Sequence, residues 1–238
     1  MSVSVTGPFI YFTIPIFGGI PITQTTVSHL LVTLLLCGEF IAIVKRLKKR
    51  PDGKQVLVEK GVLMLYNMVV DTMGAHNAHF LPLIGTIFLS SICSSLIGMT
   101  GFLRSATADL SVPLVWALIV TGIIWHNNIK YNGFVGWLKG FTEPIVVMTP
   151  MNIIGEIAQP VSMAFRHFGN IGGGTIITSL LYFALTGLSL AIGLPFPIFN
   201  IGIPAVLSLY FDLFTGFMQA FIFMMLTMAN IANAKSED

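Results

Sequence analysis

P-V-S-M-A-F-R-H-F-G-N-I-G-G-G, residues 160–174, places one full positive charge inside a long apolar run. The charge is Arg166, and the apolar run extends from about residue 145 to residue 194. An arginine at the centre of a lipid bilayer costs at least ~3 kcal/mol, so such residues are rare and usually face a partner or water. A functional role is therefore the first interpretation of Arg166.

The neighbours of Arg166 form a narrow polar face with a flank of small residues. Ser162 and Asn170 lie four residues on either side of Arg166, so a helix would place all three on one face. Glycine supplies the flank, at positions 169, 172, 173 and 174. Because glycine has no side chain, a second helix could approach this flank closely.

The composition is that of a membrane protein that crosses the bilayer several times. Of 238 residues, 55% are hydrophobic and 9% are charged, and the mean hydropathy is +0.86. Globular proteins carry about 25% charged residues, so a separate soluble domain is excluded. The two cysteines, Cys37 and Cys93, lie in different apolar stretches, where packing is the expected role. The sequence predicts no cofactor and no bound metal.

The apolar stretches predict an all-α chain with about five membrane-spanning helices. In order we expect an interfacial lead-in at 1–25, a span at 26–44, a cytoplasmic connector and surface helix at 45–79, spans at 80–99 and 111–126, and long helices at 144–194 and 201–232. Seven of the twelve basic residues lie at 45–60, which places that segment in the cytoplasm and the N-terminus outside. The C-terminus is then cytoplasmic. A cleaved signal peptide is not expected, because no basic residue precedes Lys45.

The last two apolar stretches are longer than a vertical crossing requires. The stretch at 145–194 would make roughly 75 Å of helix, more than twice the hydrocarbon thickness of about 30 Å. It either turns near residues 172–174 as two spans or runs strongly tilted as one element. Two long tilted helices explain both lengths, and we expect them to form a hairpin.

Acidic and amide side chains predict a polar seam in this hairpin. The intramembrane acids are Glu156 and Asp212, and a carboxyl group in the membrane can take up and release protons. Asp212 and Gln219 lie two turns apart on one face, as Arg166 and Asn170 do on theirs. If the faces meet, hydroxyl groups could extend the seam as a water path, at Thr175, Thr178 and Ser179. A structural alternative is that Glu156 or Asp212 only neutralises Arg166.

The histidines are interpreted mainly as structural residues. His76 and His79 lie three residues apart with Asp71 nearby, a spacing that could hold a metal. The preferred interpretation is that both are polar residues at the membrane interface. His167 is adjacent to Arg166 but points about 100° away on a helix, which favours packing or tuning over proton transfer.

P-V-S-M-A-F-R-H-F-G-N, residues 160–170, resembles the signature of subunit a of F-type ATP synthases, in which an arginine is followed by a hydrophobic step and F-G-N. Other stretches resemble that family in the family's order: I-P-I-T-Q-T (20–25), F-L-P-L-I-G-T-I-F-L (80–89), T-A-D-L-S (107–111), E-I-A-Q-P (156–160) and M-Q-A-F-I-F-M-M-L-T (218–227). The resemblance covers nearly the whole chain.

The resemblance implies a stator channel that is not itself an enzyme. In the family the arginine faces a rotor ring of c subunits, each with a membrane-buried carboxylate, and two offset half-channels reach the ring from opposite sides. The implied partners are the c-ring, the peripheral-stalk b subunits, the rest of the F1Fo complex and the translocated H⁺ or Na⁺. The implied location is the bacterial plasma (inner) membrane.

The resemblance also assigns individual positions. Glu156, Arg166, Asn170 and Gln219 match positions that the family uses around the ring contact and its half-channels. Thr175 stands where many relatives carry an acid or a histidine, and Asp212 stands where relatives carry a histidine or an acid. His167 replaces a more usual leucine.

Two other classes of function would fit single features of this sequence. A secondary transporter or free-standing channel would also place charges at midplane, but it predicts an internal repeat, and none is visible. An intramembrane hydrolase could use Asp71, His76, His79 or Asp212, but its nucleophile and metal motifs are missing. The basic run directly follows a membrane helix, so a nucleic-acid partner is not expected.

Overall fold

The computed structural model describes residues 9–15, 19–100, 102–193, 196, 198–200, 202, 206–207 and 210–233, without the side chains at 198, 211 and 212. The α-helices are α1 (Gln24–Lys45), α2 (Gly53–Met73), α3 (Leu81–Leu96), α4 (Ser111–Gly140), α5 (Thr149–Ala191) and α6 (Gly216–Asn233). Two short strands precede them, β1 (Ile10–Ile14) and β2 (Ile20–Thr23). Short 3₁₀ segments lie at Ala75–Phe80, Ile97–Thr100, Ala106–Ala108, Val146–Met148 and Ile198–Asn200, and a π-helical segment at Tyr210–Thr215.

Five helical segments within the described residues are long and apolar enough to cross a bilayer. They are Gln24–Lys45, Ala75–Thr100, Ser111–Gly140, Val146–Ala191 and Leu213–Asn233. The prediction of an all-α polytopic membrane protein with about five spans is confirmed. Because lipid offers no hydrogen bonds to the backbone, helices that satisfy their own amide groups are the expected spanning elements.

α5 is one continuous helix of 43 residues. The chain makes no turn at residues 172–174, so the stretch is one element and not two spans, and its strong tilt stays a prediction. At 1.5 Å per residue the helix is roughly 65 Å long. Pro160 lies inside it, and the helix continues although proline removes one backbone hydrogen bond there.

Three segments differ from the sequence predictions. Residues 127–140, expected as a loop, continue α4, with a local break at Gly133 where φ is 70°. Polar residues do not end a helix by themselves, and positive φ is readily adopted by glycine. Within the predicted connector and surface helix at 45–79, helix α2 already begins at Gly53, and the lead-in contains an antiparallel hairpin in which Ile14 pairs with Ile20. Its aromatic and β-branched residues favour strands.

The described residues fall into two compact units. The first unit comprises those of 1–34, 90–112 and 166–220, and its buried side chains are mostly small and polar. Thr25 Oγ1 donates a hydrogen bond to Asp109 Oδ2 over 2.9 Å, and Ser105 Oγ donates one to the Ser94 carbonyl oxygen over 2.9 Å. Small polar residues suit helices that pack closely in a membrane, where lipid provides no hydrophobic driving force for association.

The second unit comprises the described residues of 35–89, 113–165 and 221–238, and its core is apolar. Val120, Met224 and Met228 are fully buried in it. The rings of Trp116 and Phe223 meet edge to face, with centroids 6.4 Å apart. Dispersion contacts between such side chains hold this core together.

Candidate functional site

α5 turns Arg166 to one of its exposed faces. Ser162, Arg166 and Asn170 are all exposed, whereas Ala164 and His167 are fully buried. Because successive helical residues differ by about 100°, the buried and exposed residues belong to different faces of the same helix. Within the part of the chain that the structure describes, no hydrogen bond or ion pair engages the guanidinium of Arg166.

The exposed face around Arg166 carries little side-chain bulk. A Cβ atom added at Gly169 or Gly173 would have no neighbour within 4 Å. In the most apolar 18-residue stretch of the span that contains α5, only 17% of the residues are buried. In the corresponding stretch of the span that contains α6, 44% are buried. The face of Arg166 is thus open to a neighbour that is not part of the described chain.

Asn170 and Gln219 join α5 and α6. Asn170 Nδ2 donates a hydrogen bond to Gln219 Oε1 over 2.6 Å, and Gln219 is only 2% exposed. The sequence left open whether the faces of Arg166 and Asp212 meet, and the structure brings Asn170 of the first and Gln219 of the second together. The prediction for Asp212 lies outside the described side chains.

α3 packs closely against both of these helices within the first unit. His167 is fully buried, and its Nε2 lies 3.1 Å from Ser91 Oγ. A Cβ atom added at Gly216, at the start of α6, would lie 3.0 Å from the Cβ of Ser95. α3 therefore fixes the position of α5 next to Arg166 and that of α6 one turn before Gln219.

A polar cavity of about 270 Å³ lies in the first unit. Its polar lining residues come from α5 and from the loop between α3 and α4: Arg104, Ser105, Thr175, Thr178, Ser179 and Tyr182. Thr175 Oγ1 donates to the Ile171 carbonyl oxygen over 2.8 Å, and Ser179 Oγ donates to that of Thr175 over 2.8 Å. Both hydroxyl groups donate their only proton to the helix backbone. Toward the cavity their oxygen atoms can therefore act only as hydrogen-bond acceptors.

Glu156 lies at a second polar cavity, within the second unit. Trp125 Nε1 donates a hydrogen bond to Glu156 Oε1 over 2.6 Å. The cavity has a volume of about 470 Å³, and α4, α5 and the segment between them line it. Asn152 holds that segment, because its Nδ2 donates to the carbonyl oxygens of Phe141 and Glu143 over 2.8 and 2.9 Å.

The histidine pair at the start of the second span shows no cluster of metal ligands. His76 and His79 are exposed, and His79 Nδ1 lies 3.2 Å from the His76 carbonyl oxygen. Among the described residues there is no group of three His, Cys, Asp or Glu side chains that could hold a metal ion. Cys93 is half-buried, but Cys37 is exposed, so the expected packing role does not apply to Cys37.

Comparison with known proteins decides the family. The sequence pattern of the family described as "ATP synthase A chain" matches residues 26–232. The chain belongs to this family. ATP synthase A chains form the ion-translocating membrane sector of the enzyme and not its catalytic head. The chain is accordingly a multi-pass membrane protein and a part of the F1Fo ATP synthase complex.

Individual ATP synthase A chains are similar over most of their length. The sodium-ion-specific ATP synthase subunit a of Propionigenium modestum is 34% identical over 228 residues, which cover 90% of this chain and 74% of that protein. Subunit a of Moorella thermoacetica is 30% identical over 217 residues, covering 91% and 92% of the two chains. Subunit a 3 of Pelobacter propionicus is 32% identical over 214 residues, covering 88% and 86%.

Sequence reasoning missed several residues of this ATP synthase A chain that hold the candidate site. Trp125 lies near the end of the span predicted at 111–126, where nothing in the sequence points to it as the hydrogen-bond partner of Glu156. Ser91 and Ser95 were not singled out, because small hydroxyl residues are common in membrane helices. Asn152 gave a usable signal, since it is an amide four residues before Glu156 on the same helical face.

Proposed function

We propose that this chain is the stator ion channel of a rotary ATP synthase, in which Arg166 works against the carboxylates of a c-subunit ring. The observation that carries the proposal is the exposed guanidinium on the glycine-flanked face of α5. None of the described residues forms an ion pair or hydrogen bond with it. ATP chemistry then belongs to the soluble head, and this chain only moves ions.

The cost of an unpaired charge supports a ring partner over lipid. A guanidinium exposed to hydrocarbon costs about 3 kcal/mol or more, so this face requires water or a negatively charged partner. A flat face flanked by Gly169 and Gly173 would let a partner helix come close enough to bring a carboxylate to Arg166. A ring of helices that each carry one buried carboxylate provides both the negative charge and the close approach. Such a ring can also rotate past Arg166.

The fixed positive charge of Arg166 determines where a carboxylate of the ring releases its ion. A carboxylate that approaches Arg166 is favoured in its charged form, so it releases its bound ion there. The same positive charge blocks direct passage of cations from one half-channel to the other. Asn170 and Gln219, hydrogen-bonded across α5 and α6, keep the site narrow one turn from Arg166. Ser162 continues the polar face on the other side of it.

The two polar cavities are our candidates for parts of the two half-channels. One is lined by Thr175 and by the loop before α4, and the other by Glu156 and the segment after α4. In this proposal α4, which is long enough to cross the bilayer, is a span, so the segments before and after it belong on opposite sides of the membrane. Ions would therefore enter through one cavity and leave through the other, with Asp212 as a further acid on the path.

The coupling ion is H⁺ or Na⁺, and the ring carboxylate selects it. One similar subunit a is named as sodium ion specific. Each ion that moves down a potential of about 100 mV releases about 2.3 kcal/mol of free energy. The synthesis of one ATP needs the free energy of several ions, and rotation of the ring combines their contributions. The basic segment at 45–60 supports a topology in a bacterial plasma membrane with the N-terminus outside and the C-terminus in the cytoplasm. The peripheral-stalk b subunits complete the stator.

Cysteine cross-linking in native membranes tests the proposal. Ser162→Cys and Gly169→Cys lie on the face of Arg166, and each would be combined with cysteines along the carboxylate-bearing helix of the c subunit. Ile153→Cys is the matched control, since Ile153 is an exposed residue of α5 on the face opposite Ser162. We expect cross-links from the first two positions that stop ATP-driven pumping, and none from the control.

Two results would contradict the proposal. Equal cross-linking from Ile153→Cys would mean that the face of Arg166 is not the ring contact. A chain that purifies alone, without cross-links, and still transports ions would instead be a secondary transporter or free-standing channel.

A further inference from the structure

The basic segment after α1 forms a pocket of about 640 Å³ that the proposed ion path does not use. The end of α1, the connector and the first turns of α2 line it. Its basic lining residues are Lys45, Arg46, Lys48 and Lys54, and its acidic one is Asp52. The pocket therefore has an excess of three positive charges, and its volume lies within the range of about 300–1,000 Å³ that is usual for ligand sites.

Gln55 holds the connector in the shape that forms this pocket. Its Oε1 accepts a hydrogen bond from the Lys48 amide over 3.1 Å, and its Nε2 donates one to the Lys48 carbonyl oxygen over 3.0 Å. Lys48 Nζ also pairs with Asp52 Oδ2 at 2.9 Å. The basic side chains thus project from a folded turn and not from a free chain, which lowers the entropy cost of binding a ligand.

The same pocket has an apolar wall. Ala42, Ile43 and Val58 contribute to it, and Leu47 stands between the basic residues with 54% of its surface exposed. Leu57, on α2 beside the pocket, is 74% exposed. Exposed leucines next to lysines are expected where a protein surface meets the boundary between phosphates and acyl chains.

We propose that this pocket binds the phosphate headgroup of an anionic phospholipid at the membrane interface. The end of a membrane-crossing helix lies at the level of the lipid phosphates, and α1 is long and apolar enough to cross. Lys45, Arg46 and Lys54 would surround the phosphate, while Leu47 and Val58 would contact the glycerol and the first acyl carbons. A nucleic acid or an acidic protein would match the charge but not the apolar wall.

A matched pair of double variants tests the inference in the full chain. Lys45→Gln/Lys54→Gln removes two charges from the pocket, and Lys49→Gln/Arg50→Gln removes two charges from the same basic run outside the lining residues. Native mass spectrometry in detergent would measure binding of phosphatidylglycerol and of phosphatidylcholine with the same acyl chains. Each basic group near an anionic surface contributes about fivefold, so we expect at least about tenfold weaker phosphatidylglycerol binding in the first variant. The second variant should lose about twofold or less.

Two further measurements keep the test independent of the variants. A photoactivatable phosphatidylglycerol should label wild-type peptides within residues 42–58. An excess of inorganic phosphate should leave the bound lipid in place, because the apolar wall contributes to lipid binding only.

The inference is overturned by any of four results. These are equal losses in the two double variants, labelling concentrated elsewhere in the chain, displacement of the lipid by inorganic phosphate, and unchanged lipid binding with loss of stalk subunits from the complex. The last result would identify the pocket as a protein contact. None of these outcomes depends on the role proposed for Arg166.

Discussion

Shortening Gln219 by one methylene group, in Gln219→Asn, should remove the hydrogen bond that joins α5 and α6. Asn170 Nδ2 and Gln219 Oε1 are 2.6 Å apart, and losing one carbon–carbon bond of about 1.5 Å would open this distance to roughly 4 Å. That exceeds the limit of about 3.2 Å for a hydrogen bond. Because Gln219 is buried, water cannot easily replace the lost partner.

The expected loss follows from measured values for other membrane proteins. Hydrogen bonds between membrane helices contribute ~0.6 kcal/mol on average and up to ~1.7 kcal/mol. The short distance and the burial of Gln219 favour the upper part of that range, about 1–1.7 kcal/mol. Titration of the purified chain with sodium dodecyl sulfate in mixed micelles would measure the free energy of unfolding.

The exchanged pair Asn170→Gln/Gln219→Asn supplies the decisive comparison. It keeps the same atoms in total and restores the reach across the two helices, so at least half of the lost stability should return. ATP-driven ion pumping in membrane vesicles should be highest in the wild type, lower in the exchanged pair and lowest in Gln219→Asn, because the pair lies one turn from Arg166. Wild-type stability in Gln219→Asn, or no recovery in the exchanged pair, would refute the reasoning.

Three further changes test other contacts. Arg166→Ala should abolish coupled ion transport while the soluble head still hydrolyses ATP, and preserved ATP-driven pumping would rule out the role proposed for Arg166. Gly216→Ala should destabilise the chain by about 1–3 kcal/mol in the same unfolding titration, because its Cβ would crowd that of Ser95 at 3.0 Å. Ser95→Gly has a cost of its own, because it removes the hydrogen bond from Ser95 Oγ to the Ser91 carbonyl oxygen, so Gly216→Ala is also measured in the Ser95→Gly background. The loss caused by Gly216→Ala should be smaller there, and an equal loss would place the strain elsewhere. Trp125→Phe keeps an aromatic side chain but replaces the indole by a smaller ring and removes the hydrogen bond to Glu156, so pumping should fall several-fold while stability changes by about 1 kcal/mol. Unchanged pumping would separate Glu156 from the ion path.

The number of spans could be predicted because the length and apolarity of a membrane helix are properties of the sequence alone. The cost of a charge in lipid likewise identified Arg166 without any tertiary information. Helical periodicity placed Asn170 and Gln219 on the polar faces of their own helices, but whether these faces meet was left as a condition. What could be predicted uses only distances along one helix.

Contacts between distant segments could not be predicted in the same way. Nothing in the spacing of Trp125 and Glu156, or of Ser91 and His167, indicates that these side chains meet. The helical continuation at 127–140 was missed because polar residues there were interpreted as a loop, although they tolerate a helix as well. In each case the three-dimensional packing of other helices decides the outcome.

His167 explains how Arg166 is held on the open face of α5 although the described residues give its guanidinium no partner. The two residues are consecutive, so burying one fixes the other about 100° away around the helix axis. A leucine at this position would bury the same face by packing alone. The histidine adds a hydrogen-bonding contact with Ser91, and a rotation of α5 that separated Nε2 from Ser91 Oγ would lose this contact, at a net cost of about 0.5–1.5 kcal/mol. The burial of His167 and its contact with Ser91 therefore both favour the rotation of α5 that turns Arg166 to the open face.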